Sequence, residues 1–170
     1  MNWHMLIALI IAHLLADFPL QTDYIYTLKV RGNWGIIPHV LVHVVVTAFL
    51  LATPLHYWPL LLGIFVSHYL IDWLKLHLPC PNPVRAFLLD QAMHLVTLTG
   101  FALWMPSVQV IIPPHILLLL FPYALIPALL VFHSIRKSSH QRGLSPANCR
   151  TLARLAGFPL LITLLFLRGG

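Results

Sequence analysis

No glutamate occurs in this chain, and only four aspartates carry negative charge: Asp17, Asp23, Asp72 and Asp90. Charged residues of both signs make up 8% of the 170 residues, where a soluble domain carries about a quarter. A water-soluble globule is excluded on that ground. Cysteine is almost as scarce: Cys80 and Cys149 have no CxxC or Cys–His spacing, which excludes a disulfide framework and a thiolate zinc site. No P-loop, GxGxxG or serine nucleophile elbow is present. The N-terminal MNWHMLIALIIA lacks the basic stretch of a cleaved leader and reads as a retained first span.

What the chain has is apolar sequence, 59% hydrophobic. A helix needs about 20 mostly apolar residues to cross a bilayer. Six stretches qualify or nearly do: about 3–19, 37–53, 58–77, 84–104, 114–133 and 149–167. The expectation is an all-α polytopic membrane protein. Residues 1–105 would hold a four-helix core, and 106–170 two further spans joined by a basic loop. Pro38 is expected to open the second span, and Asn82-Pro83 and Ser145-Pro146 read as N-caps followed by first-turn prolines. The amphipathic stretch 20–35 suits a short helix at the membrane surface. Trp3, Trp34, Trp58, Trp73 and Trp104 fall near span ends, where interfacial aromatic belts lie.

A net charge of +6 raises nucleic acid as a partner, but the basic residues are sparse and separated by apolar runs, so no such partner is expected. Lys29, Arg31, Lys75, Arg85, Arg136, Lys137, Arg142, Arg150 and Arg154 all fall on one side of a six-span layout, and only Arg168 on the other. The positive-inside rule makes that side cytoplasmic and puts both termini outside.

Three of the four aspartates stand one helical turn from a histidine: His13/Asp17, His68/Asp72 and Asp90/His94. His39/His43 repeats the spacing with two imidazoles. With 11 histidines in the chain, three such matches arise by accident on the order of once in 100. Residues four apart on a helix lie about 6 Å apart on one face and can serve one ion. One pair falls on each of the first four spans, always in the cytoplasmic half, so a four-helix bundle would bring them to one depth. A single buried pair of this kind can be a plain interhelical hydrogen bond. Four at one depth favour a divalent metal site with His13, Asp17, His39, His43, His68, Asp72, Asp90 and His94 as ligand candidates.

Zinc is the expected metal for these donors, with iron or manganese as the alternatives. Eight candidates exceed the four ligands of one tetrahedral zinc, so two ions fit the count better. Gln21 and Gln91 neighbour the pairs and could orient them. Asp72, Asp90 and Lys75 are the residues assigned to catalysis, with Lys75 and nearby Arg85 facing an anionic substrate group. Asp23 lies in the surface stretch and reads as a solvated carboxylate. His4, His56 and His115 fall at the opposite face, and His77, His133 and His140 near the interface; no chemistry is assigned to these six.

"HLLADFPLQTD", Lys29, "HVLVH", "SHYLIDWLK" and "LLDQAMH" together resemble a family of small bacterial inner-membrane proteins, domain-of-unknown-function family 3307. The resemblance covers roughly residues 8–98 and implies the membrane fold and these signature His, Asp, Gln and Lys positions; it implies no activity. Site chemistry suggests a membrane-embedded metal-dependent hydrolase at the cytoplasmic leaflet, with the bilayer as partner and a phosphorylated lipid as substrate. The alternatives are a histidine-rich di-iron oxygenase or desaturase, against which stand the missing glutamate and HxxHH cluster, and a metal or proton transporter.

Overall fold

The computed structural model describes residues 2–78, 80–105, 107–138 and 163–164. Among them lie six helices and no strand: α1 (Trp3–Asp17), α2 (Asp23–Arg31), α3 (Asn33–Leu50), α4 (Trp58–His77), α5 (Pro83–Trp104) and α6 (Pro114–Ser138). The chain is an all-helical membrane protein. α3, α4, α5 and α6 are each long and apolar enough to cross a bilayer. α1 has 15 residues, a rise of about 22 Å, shorter than a full span. The sixth expected span, 149–167, lies outside the described residues apart from Thr163 and Leu164, as do Ser145-Pro146, His140, Cys149 and the basic residues beyond 138.

Local sequence explains the helix ends. Asn2 caps α1 by accepting from the Met5 amide at 3.0 Å, and Thr22 caps α2 by accepting from Ile25 at 3.2 Å. Asn82 accepts from the Val84 and Arg85 amides, both at 3.0 Å, with Pro83 in the first turn where no amide is missed. The expectation for Pro38 needs correcting. α3 begins at Asn33, and Pro38 lies inside the helix. α2 folds back directly onto the start of α3, and the approach is close: a Cβ on Gly35 would lie 1.7 Å from the Leu28 carbonyl oxygen. Only glycine fits there, so helix continues through Asn33–Ile37 although Pro38 removes one donor further on.

Two apolar clusters hold the bundle. In one, α1 packs on α6 through Ala8, Ile11, Ala12 and Leu15 against Leu117, Leu120 and Ala124. In the other, Met5, Leu9, Leu60, Ile64 and Leu98 meet from α1, α4 and α5 beneath Leu51 and Val108. The second cluster fills the half of the bundle remote from the basic residues. Beyond it the two connecting segments are tied together. Ala52 donates to Gln109 at 3.1 Å, Ile111 donates to Leu50 at 3.0 Å, and the Tyr57 hydroxyl donates to Ser107 at 3.1 Å. His4 Nε2 lies 2.6 Å from the Ile112 carbonyl. That end is closed by packing and backbone hydrogen bonds.

Candidate metal centre

The other half of the bundle holds the polar residues. α1 carries His13 and Asp17, α3 carries His39 and His43, α4 carries His68 and Asp72, and α5 carries Asp90 and His94. On each helix the one-turn spacing turns both side chains inward. Seven of the eight are buried, and the Asp17 side chain is 10% exposed.

All eight converge. His13, Asp17, His43 and His68 each offer a donor atom within 4.8 Å of the others; so do His39, His68 and Asp72, and so do Asp72, Asp90 and His94. His68 belongs to the first and second groups and Asp72 to the second and third, so the three are linked in series. Asp17 is a hub: its Oδ1 lies 3.0 Å from His43 Nε2, 3.1 Å from His39 Nε2 and 3.7 Å from His68 Nε2. The imidazoles crowd together, with ring centroids 3.6 Å apart for His43 and His68, whose planes are tilted by 36°, and 4.0 Å apart for His68 and His94, which stack.

Buried polar atoms normally find hydrogen-bond partners. Here Nε2 of His39, His68 and His94, and Oδ1 of Asp90, have none among the described residues. Imidazole nitrogens and carboxylate oxygens aimed at one another without hydrogen bonds are the donor set a divalent cation would satisfy. The residues fit such an ion.

The two glutamines orient this set. Gln91 Nε2 donates to Asp17 Oδ2 and to Asp90 Oδ2, each at 3.3 Å, while its Oε1 lies 3.3 Å from His13 Nε2. One amide thus joins α5 to α1. Gln21 Nε2 lies 3.3 Å from His39 Nδ1. For His39 to ligate through Nε2, Nδ1 must keep the proton and face the Gln21 carbonyl, a half-turn of the amide.

Lys75 Nζ donates to Asp90 Oδ2 at 2.6 Å, with its side chain 39% exposed at the rim. The centre therefore meets its surroundings beside Lys75. A second lysine meets the centre, one that sequence reasoning left out of the assigned site residues: Lys29, buried on α2, with Nζ 2.6 Å from Asp72 Oδ1. The signal was present, because Lys29 lies six residues after Asp23 in an amphipathic stretch and belongs to the family pattern. α2 is thereby part of the site as well as a surface helix. Arg85 touches no candidate ligand; it sits in the first turn of α5. His115 is exposed at the start of α6, and His77 stacks on Trp73, neither being near the cluster's donor groups.

Fold and site together define a helical membrane protein with a histidine- and aspartate-lined centre in one half of its bundle. The sequence model described as a protein of unknown function, DUF3307, matches residues 5–119, from α1 into the start of α6, and the chain belongs to that family. Comparison with curated proteins and with solved structures gives no match.

Proposed function

We propose that this protein is a membrane-embedded metal-dependent hydrolase acting on a phosphorylated lipid at the cytoplasmic leaflet. The observation that carries the reading is the convergence of eight donor residues, seven of them buried and three imidazole nitrogens among them without hydrogen-bond partners, on a site bounded on one side only by apolar packing. Two divalent ions, zinc being the first choice, would supply a water acidified toward neutral pH and charge to balance a developing oxyanion. His13, Asp17, His43 and His68 would hold one ion and Asp72, Asp90 and His94 the other, with His39 between them. Gln91 and Gln21 fix ring and carboxylate orientation. Lys75 lies at the rim, where it can meet the phosphate of a lipid held at the interface.

One-sided access supports a hydrolase over a transporter. A transport site sits near mid-membrane with alternating paths to both faces, whereas Met5, Leu9, Leu60, Ile64 and Leu98 pack into the route to the far end. The positive-inside pattern makes the open end cytoplasmic. The test is hydrolysis of a panel of phosphorylated lipids in mixed micelles, with the protein depleted of metal and then reloaded. Phosphate released only by the zinc-loaded protein supports the reading. Iron with an optical band, and oxygen-dependent acyl chemistry instead of phosphate release, would replace it with the di-iron oxygenase.

A further inference from the structure

Two lysine ammoniums share the proposed metal centre. Lys29 rests on Asp72 and Lys75 on Asp90, each at 2.6 Å. Each carboxylate is divided between two kinds of neighbour. Asp72 turns Oδ1 to Lys29 and Oδ2 toward His39 and His68, at 3.5 and 3.7 Å. Asp90 turns Oδ2 to Lys75 and Oδ1 toward His94, at 3.6 Å. Metal and lysine can therefore hold opposite oxygens of the same carboxylate, and metal loading does not require the ammoniums to leave.

Charge then limits what the loaded centre can be. Asp17, Asp72 and Asp90 are its carboxylates, and two ammoniums cancel two of them. The single negative charge left over does not neutralise even one divalent ion. A buried centre cannot keep such an excess of positive charge without a counter-ion. Hydroxide alone balances one ion; two ions demand a multiply charged anion besides.

Resting on the metal-site reading above, we propose that Lys29 and Lys75 make an oxyanion of the phosphate class a thermodynamically coupled partner of the metals. Metal and phosphoryl group bind cooperatively, and the two lysines set the strength of that coupling. Binding linkage is reciprocal, so the anion must tighten the metal by the factor by which the metal tightens the anion. A lysine acting only as a structural tie would, when removed, weaken both.

The experiment is calorimetric titration of zinc into the detergent-solubilised full chain, alone and with either of two probes: phenylphosphonate, or a short-chain phosphatidic acid. The expected result is at least about tenfold tighter zinc binding with a phosphoryl probe. In Lys29→Met and Lys75→Met zinc alone binds more tightly than in the wild type, and the enhancement by the probe is lost; Lys29→Arg retains it. Equal enhancement by both probes assigns recognition to the phosphoryl group itself, and enhancement by phosphatidic acid alone assigns it to a lipid-borne group; either supports the proposal. Zinc binding that neither probe changes overturns it while leaving the metal site standing, as does loss of zinc affinity in both methionine variants. No zinc binding at all removes the metal reading, and this proposal with it. Should Lys29→Met fail to fold, Lys75→Met, at the exposed rim, decides alone.

Discussion

Asp17 shows how much of the centre hangs on single residues. It contacts His39 and His43 of α3 and His68 of α4, and receives a hydrogen bond from Gln91 of α5. An unpaired carboxylate in hydrocarbon costs about 3 kcal/mol, so these contacts and the ions they would hold are what make Asp17 tolerable there. His43→Ala and Asp72→Ala are expected to lose at least one bound ion per chain and to lower phosphate release by more than about 100-fold, the scale of metal chemistry. His115→Ala, exposed on α6, is expected to leave both unchanged. Elemental analysis beside a hydrolysis assay checks all three; full metal content in Asp72→Ala would remove Asp72 from the ligands. Gln91→Ala keeps every ligand but frees Asp17, Asp90 and His13. It should cost about 10–100-fold in zinc affinity, read by competition with a chelating dye.

At the scale of elements, the placement of α2 is the structural detail on which Lys29 depends. Gly35 lets the Leu28 carbonyl pack against α3, and one residue further on Lys29 points to Asp72. Gly35→Ala should push α2 away, destabilise the protein by about 1–3 kcal/mol as overpacking does, and detach Lys29. Thermal unfolding in detergent checks it against Gly100→Ala, where a new Cβ meets nothing within 4 Å and no loss is expected. The one-turn His/Asp spacing makes the inward faces of α1, α3, α4 and α5 legible in the sequence, because that periodicity is local. Lys29 is not legible in the same way: its partner Asp72 lies on another helix, far along the chain, and no spacing rule reaches across helices. Pro38 misleads for a related reason, since the contact at Gly35 that favours helix before the proline is tertiary. The tie between the segments at Leu51 and Val110 leaves no sequence signal, being made of backbone groups.

The whole molecule has two unlike halves. Among the described residues one end is apolar and closed by backbone hydrogen bonds; the other gathers the buried aspartates and Lys29 together with the exposed Lys75 and Arg85. Charge asymmetry of this kind sets orientation in a membrane. In a Cys149→Ser background, Cys80, half-buried between α4 and α5, should react with an impermeant maleimide only when the cytoplasmic face is accessible. A cysteine placed at Leu55, 88% exposed, should react only from the opposite face. The reverse pattern would invert the molecule and move the centre to the outer leaflet.

If the four His- and Asp-bearing helices exist to hold metal, metal content is the property that must show it. The measurement is elemental analysis of detergent-purified wild type beside the His39→Ala/His43→Ala double variant, both after reconstitution with zinc in the presence of phenylphosphonate. About two ions per chain in the wild type, the nuclearity suited to a phosphoryl-transfer site, and their loss in the variant, are expected. No metal in either sample would contradict the metal centre, and would make the buried histidines and aspartates a polar relay or a structural core that joins the helices.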